Sequence, residues 1–324
     1  MQDSRQFVTD ALDRRSGPVP VDFGSTAVTG MHVSVVAALR DYYGLPRQPV
    51  KVHEPLQMLG WPEEDLKQAM GVHVEGVFRA KTAFGFANDN WKPWNFNGLD
   101  VLVPGMFNTT VDANGDTLLY PEGDLSAAPS GRMPKGFHFF DAIIRQNHFD
   151  PGNLNVEDNC EEFQPITEAD LNLLDAETAR AHATGRYVIA SFGGTSFGDI
   201  ARVPGTGMKD PRGIRDVAEW YISLRSRRGY VHAVFERECE TGIANLARIH
   251  ERAGSRVGAI FVCGTDFGTQ TSVFCSKATF DELWLPYYRR VCDWVHANTK
   301  WKCFKHSCGS VERFIPSFIE AGFD

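Results

Sequence analysis

The sequence predicts an α/β fold with parallel strands, and three stretches support that prediction. Residues 186–192, 258–263 and 300–305 each have the length and the apolar content of a buried strand. Each runs into a polar or glycine-rich loop, and helical periodicity follows the last two. Because strand, polar loop and helix alternate, we expect βα units, in which neighbouring strands run parallel.

The first part of the chain is predicted to hold one strand and one hairpin. Residues 20–24, Pro-Val-Asp-Phe-Gly, are expected to form the first strand, with Asp22 near its end as a candidate for substrate or cofactor contact. Residues 101–104 and 117–120 are apolar and flank Asp-Ala-Asn-Gly-Asp at 112–116, a hairpin turn signal. We interpret this β-hairpin as part of an insertion that covers about 91–165.

A helix is predicted from about residue 167 to 184, directly before the strand at 186–192. That strand leads into Gly193 and Gly194, which are candidate cofactor-binding residues because glycine lets a ligand approach the backbone closely. Glycines in such a loop also serve simply to form a turn. Both interpretations stay open.

The strand at 258–263 is followed by the polar loop 264–269, which contains Asp266. Acids in this position touch the substrate in barrel enzymes, so Asp266 is a candidate catalytic residue, with capping of the loop as the alternative. Thr-Phe-Asp-Glu at 279–282 has the form of a capping box and is predicted to open the next helix.

The most informative motif is His306-Ser307-Cys308, between the strand at 300–305 and a predicted helix at 311–321. In an extended backbone, residues two apart point the same way, so the imidazole and the thiolate can meet at one point. Such a pair is half of a zinc site. The alternative is a buried histidine beside an inert thiol.

Composition limits the classes of function. A chain of 324 residues with 43% hydrophobic content can form one large domain over 1–324. The net charge of -8, without a basic face, argues against nucleic-acid binding. No apolar run reaches the roughly 18 residues of a membrane helix, and no signal segment is visible, so a cytoplasmic protein is expected. Seven cysteines without framework spacing indicate reduced thiols.

Short motifs along most of the chain resemble the uroporphyrinogen decarboxylase superfamily, and most closely its corrinoid-dependent methyltransferase branch. They are Pro-Val-Pro-Val-Asp-Phe-Gly at 18–24, Ala-Leu-Arg at 38–40, Tyr-Gly-Leu at 43–45, Asp266, Cys-Ser-Lys at 275–277 with Phe280, Leu-Pro-Tyr at 285–287, His-Ser-Cys-Gly at 306–309 and Ile-Glu-Ala-Gly-Phe-Asp at 319–324. The resemblance implies a (β/α)8 TIM barrel whose site lies at the C-terminal ends of the strands.

Two branches of that superfamily differ near the N-terminus. Decarboxylases carry an Arg-Gln-Ala-Gly-Arg motif that grips the carboxylates of a porphyrinogen, whereas this chain has Val-Asp-Phe-Gly-Ser-Thr at 21–26. The resemblance therefore favours methyl transfer. Decarboxylation of a porphyrin-like acid and a non-catalytic corrinoid-binding barrel are the alternatives.

The methyltransferase branch implies a zinc ion held by His306, Cys308 and a later cysteine, and it implies two partners. These are a corrinoid (cobalamin) protein that carries the methyl group and a small acceptor, such as a thiol or tetrahydrofolate. Zinc would turn a thiol into a thiolate. If tetrahydrofolate is the acceptor, an acid such as Asp266 or Glu75 near the pterin would transfer the proton. A homo-oligomer is compatible with the sequence.

Relatives in that superfamily continue for about two more βα units of roughly 30 residues each. We therefore expect a barrel without its last units, with exposed edge strands, and with Phe323 and Asp324 starting the next strand. The third zinc ligand is expected beyond Asp324. Cys303, Cys263 and Cys275 are substitute ligands.

Overall fold

The computed structural model describes residues 3–192 and 195–324 and has a mixed α/β architecture. Its α-helices are α1 (Ser4–Leu12), α2 (Val33–Tyr42), α3 (Glu64–Ala69), α4 (Glu168–Ala183), α5 (Val217–Ser226), α6 (Arg228–Ala253), α7 (Lys277–Leu283), α8 (Leu285–Asn298) and α9 (Ile315–Glu320). Its strands are β1 (Met31–His32), β2 (Val50–Glu54), β3 (Leu59–Gly60), β4 (Val74–Val77), β5 (Lys92–Phe96), β6 (Leu99–Val103), β7 (Thr109–Val111), β8 (Thr117–Leu119), β9 (Gly131–Met133), β10 (Asp141–Ala142), β11 (Tyr187–Ser191), β12 (Ala259–Cys263) and β13 (Lys302–Lys305).

A parallel sheet of four strands, in the order β13-β12-β11-β4, positions the candidate site. All three of its strand pairs are parallel, as the sequence predicts. The predicted strands at 186–192, 258–263 and 300–305 are confirmed as β11, β12 and β13. Within the described residues this sheet is open, so a closed (β/α)8 barrel stays a prediction.

Helices α4, α6 and α8 pack together beside this sheet and share its apolar core. The predicted helix at about 167–184 is confirmed as α4: the Thr167 side chain accepts a hydrogen bond from the Asp170 N–H at 3.1 Å and caps the first turn. Leu171, Leu174 and Ala181 form its buried stripe. None of the helices in the described ranges combines the length and the apolar character needed to cross a membrane.

The predicted capping box at 279–282 is wrong by one turn. Helix α7 begins at Lys277, because the Ser276 side chain accepts the Thr279 N–H at 3.1 Å and takes the capping role. Pro286 then lies in the first turn of α8, where its missing N–H is not needed. The predicted helix at 311–321 is observed as a 3₁₀ turn, Glu312–Phe314, followed by α9.

The prediction of a first strand at 20–24 is wrong. This segment runs beside β4, where the Val21 carbonyl accepts the His73 N–H at 2.8 Å, but it forms no strand ladder. Pro20 has no N–H to donate, and the Asp22 carboxylate accepts both the N–H and the hydroxyl of Ser25, which turns the chain away.

A second apolar core lies between the other two sheets, whose strand orders are β1-β3-β2-β6-β5 and β10-β9-β8-β7. Its buried residues run from Val33 to Phe140, so they include residues before the predicted insertion. The predicted hairpin turn at 112–116 is confirmed, with Gly115 donating to the Asp112 carbonyl at 3.0 Å. Its first arm is β7, however, and not 101–104 as predicted, because β6 pairs with β5 and β2.

Candidate metal centre

The structure brings Asp266, His306 and Cys308 together at one edge of the parallel sheet. Asp266 lies in the loop after β12, and His306 and Cys308 lie in the loop after the neighbouring strand β13. The His306 Nε2 atom is 3.1 Å from the Cys308 Sγ and 3.6 Å from the Asp266 Oδ1. One nitrogen, one sulfur and one carboxylate oxygen thus lie within 4.8 Å of one another.

Hydrogen bonds from backbone N–H groups to side-chain oxygens hold the two loops against each other. The Cys308 N–H donates to the Asp266 Oδ1 at 2.5 Å, and the Phe267 N–H donates to the Ser307 hydroxyl at 2.8 Å. Gly309 has a φ of 83°, and a Cβ there would lie 2.3 Å from the backbone of Gly268. The close approach of these two glycines fixes the spacing between the three donor atoms.

Lys305 lies beneath the donor atoms and joins the same two loops. Its Nζ donates to the carbonyls of Thr265 at 3.2 Å and of His306 at 2.7 Å, and it lies 4.6 Å above the Phe318 ring. Burial lowers the pKa of this amine. The amine therefore acts as a fixed donor that keeps His306 in place.

The donor group offers the nitrogen, sulfur and oxygen atoms that a divalent metal ion such as zinc uses as ligands. Tetrahedral zinc with bonds of about 2.0–2.3 Å separates its ligands by roughly 3.3–3.8 Å, close to the two distances measured from Nε2. Burial lowers the pKa of His306, which favours the neutral imidazole that binds metals. Burial and the Asp266 charge raise the pKa of Cys308, so that thiolate needs a compensating cation. Cys308 is exposed, so the donor group is accessible from solvent.

A half-buried acid, Asp199, lies near this group and was missed by sequence reasoning. A Cβ on Gly264, the residue after β12, would lie 3.0 Å from the Asp199 Oδ2. Burial raises the pKa of Asp199 most, while the charge of Arg202 lowers it and that of Asp266 raises it. Asp199 therefore lies within electrostatic reach of the donor group.

Glu75, predicted as a candidate acid, lies on β4 in a separate network of ion pairs. Its carboxylate is 2.8 Å from the Lys67 amine and 3.4 Å from the guanidinium groups of Arg180 and Arg186, and the residue is only 1% exposed. None of these three partners belongs to the Asp266 group. The contacts of Glu75 are those of a structural ion pair.

Of the three predicted cofactor-binding residues, only Asp22 lies within the described ranges, and it is not part of the donor group. The carboxylate of Asp22 bonds to Ser25, through its hydroxyl at 2.6 Å and its N–H at 3.2 Å, and burial raises its pKa. Gly193 and Gly194 lie outside the described residues. No contact with the Asp266 group is observed for Asp22 among the described residues.

A second set of potential donors, His296, Cys303 and Asp324, lies at the opposite end of β13. The Asp324 carboxylate already accepts from the Cys303 N–H at 2.8 Å and contacts His296 at 2.9 Å and Lys302 at 3.1 Å. Because its oxygens are satisfied by the protein, this acid caps the start of β13. The Asp324 N–H also donates to the Cys303 carbonyl at 3.1 Å.

The three cysteines named as substitute ligands do not join the donor group. Cys263 and Cys303 are buried in the core at 3% and 1% exposure. Cys275 is half-buried, and burial raises the pKa of its thiol to about 11. The third donor atom near His306 and Cys308 belongs to Asp266 instead.

No protein-family model matches this chain, and no curated protein matches it significantly. The donor group at the sheet edge therefore carries the function proposed for this chain.

Proposed function

We propose that this protein is a zinc-dependent methyltransferase that moves a methyl group between a corrinoid protein and a small acceptor such as a thiol or tetrahydrofolate. The proposal includes membership of the uroporphyrinogen decarboxylase superfamily and its (β/α)8 barrel. The observation that carries it is the set of three donor atoms from Asp266, His306 and Cys308 within 4.8 Å. Three protein ligands and an open position are typical of catalytic zinc.

Each residue has a role that follows from its contacts. His306 and Cys308 would hold the metal, and Asp266 would complete the set while its bond from the Cys308 N–H orients it. Zinc bound here would stabilise an acceptor thiolate at neutral pH, and the thiol proton would leave to water. The acceptor sulfur would bond to the methyl carbon as the cobalt–carbon bond breaks, with the electron pair of that bond left on cobalt.

A cavity elsewhere on the same edge of the parallel sheet is large enough for a small acceptor. The cavity, of about 420 Å³, opens at the C-terminal ends of β4 and β11, where Phe78 and Phe192 line it. This volume lies in the range of sites for small molecules, about 300–1,000 Å³. The larger corrinoid would be presented from outside by its own protein.

Metal analysis tests the proposal directly. We expect about one zinc per chain in the purified protein, and loss of most of it in His306→Ala, Cys308→Ala and Asp266→Asn. The matched control is Cys275→Ser, which changes a half-buried thiol outside the donor group. Full zinc occupancy in all three ligand variants would contradict the metal centre.

A second assay addresses the reaction. With methylcobalamin as donor and a panel of small thiols and tetrahydrofolate as acceptors, we expect a methylated product by mass spectrometry, and none in His306→Ala. Loss of carbon dioxide from porphyrinogen acids would instead favour the decarboxylase alternative. A zinc-loaded protein that binds methylcobalamin but gives no methylated product would favour the non-catalytic alternative.

A further inference from the structure

The 420 Å³ cavity has an apolar floor and a charged rim. Residues 78–83 and 85 line it, together with residues 161, 162 and 164–167. The apolar side chains on its wall are Phe78, Ile166, Leu173, Leu174, Phe192 and Met208. A ligand held here would bury an apolar body, because apolar area removed from water contributes about 25 cal/mol per Å².

Three of the four acids on the cavity wall, all except Asp170, already pair with cations outside the cavity. Glu161 is 2.6 Å from the Arg212 guanidinium, and Glu162 is 3.2 Å from that of Arg215. Glu122 is 3.4 Å from the Lys209 amine. Cations outside the cavity therefore occupy these carboxylates.

Two arginines on the cavity wall, Arg79 and Arg202, lack close carboxylate partners among the described residues. Over residues 3–192 and 195–324, the Arg79 side chain makes no ion pair and no hydrogen bond, although water reaches it through the cavity. Arg202 lines the same cavity, and in the described ranges its guanidinium makes only a long contact of 3.8 Å to Glu162. Arg79 is exposed, and the nearby charge of Arg202 is the main cause that lowers its pKa to about 9. At neutral pH both groups are cationic and repel each other.

We propose that this cavity binds a small molecule with one carboxylate group and an apolar body, and that Arg79 and Arg202 hold the carboxylate. A guanidinium group binds a carboxylate through charge-assisted, often bidentate hydrogen bonds. The apolar floor would take the body of the ligand. Since Glu161, Glu162 and Asp170 share the wall, a single negative charge suits the site better than a phosphate dianion.

Calorimetric titration with 3-phenylpropanoate, and with its neutral isostere 3-phenylpropanamide, tests the proposal. We expect the wild-type protein to bind the carboxylate at least tenfold more tightly than the amide. Arg79→Gln and Arg202→Gln should each weaken carboxylate binding by about 10- to 100-fold and leave the amide unchanged, because a hydrogen bond to a charged group contributes about 1.5–3 kcal/mol.

Arg290→Gln is the matched control, since Arg290 pairs with Glu236 on the exposed face of α8 and should leave binding unchanged. Equal affinity for carboxylate and amide, no binding of either, or tighter binding of inorganic phosphate would each overturn the proposal. Titration of the His306→Ala protein tests the carboxylate site independently of the proposed function. Carboxylate binding should survive there even if zinc binding or methyl transfer fails.

Discussion

Glu238 is a buried carboxyl group that holds the loop after β11. It lies on α6 at 2% exposure and accepts the N–H groups of Ser196 at 2.6 Å and Phe197 at 2.7 Å. Burial raises its pKa from the ordinary value to about 7, with a smaller upward effect from the charge of Glu162. Since Asp199 belongs to the same loop, Glu238 positions the acid near the donor group.

Glu238→Gln should change how stability depends on pH. Because the folded pKa is raised, the folded state favours the protonated acid. The contribution of Glu238 to stability is therefore fully present below about pH 4.5 and is lost as the pH rises through about 7. Relative to Glu238→Gln, the free energy of unfolding of the wild type should fall by about 2 kcal/mol between pH 5 and pH 8.

Urea unfolding at the two pH values measures this difference. Glu240→Gln is the control, because Glu240 is exposed on the same helix and should show no such dependence. A constant difference between wild type and Glu238→Gln across this range would show that the carboxyl group has an ordinary pKa.

Glu75 shows why a residue type alone does not identify a catalytic acid. Glu75→Ala should lower the free energy of unfolding by about 3–5 kcal/mol, because it leaves the buried Lys67 amine without its carboxylate partner. Zinc content should stay unchanged. The control is Glu177→Ala: Glu177 also pairs with Arg180, at 2.8 Å, but its side chain is 39% exposed, so its loss should change the free energy by no more than about 1 kcal/mol.

Denaturation curves and metal analysis on the same samples check both expectations. Loss of zinc from folded Glu75→Ala protein would show that Glu75 contributes to the metal site. The sequence could not exclude Glu75, because its partners Arg180 and Arg186 lie more than 100 residues further along the chain.

At the scale of elements, the turn that joins the loops after β12 and β13 depends on a glycine. Gly309→Ala adds a Cβ that would lie 2.3 Å from Gly268, in addition to the strain of a φ of 83°. We expect weaker zinc binding and a stability loss above the roughly 1 kcal/mol that a left-handed φ alone costs.

Gly136→Ala is the matched control, because Gly136 has a φ of 78° and no atom within 4 Å of the added Cβ. The melting temperature and the zinc affinity of both variants distinguish the backbone strain of a positive φ from the steric clash of the added Cβ with Gly268. Equal losses in the two variants would show that the contact with Gly268 does not fix the loop.

Elements with a strong local signal were predicted correctly, and elements that depend on partners were not. Helix α4 has its own cap and apolar stripe, and β11 to β13 are short apolar runs between polar loops. The first arm of the hairpin was misplaced because β6 pairs in another sheet. Asn97 and Gly98, which connect β5 and β6 with positive φ, were an overlooked hairpin signal.

At the scale of the whole molecule, the sequence named all three donor residues but grouped only His306 and Cys308. These two are only two residues apart, so they lie close together even though the structure has them in a loop and not in a strand. Asp266 joins them only because β12 and β13 are adjacent in the sheet. Arg79 and Arg202 could not be paired from the sequence, because their proximity depends on how the loops after β4 and β11 fold over the cavity.

The order of the parallel sheet has a consequence for the folding pathway. Val74 of β4 pairs with Tyr187 of β11, so this contact closes a loop of about 110 residues, and long loops carry a large entropic penalty. The chain between them forms antiparallel pairs from nearby strands, which close quickly. Early formation of these pairs shortens the effective distance between β4 and β11. The second core thus brings β4 and β11 closer together early in folding. Mutations that weaken this core should slow folding more than they speed unfolding.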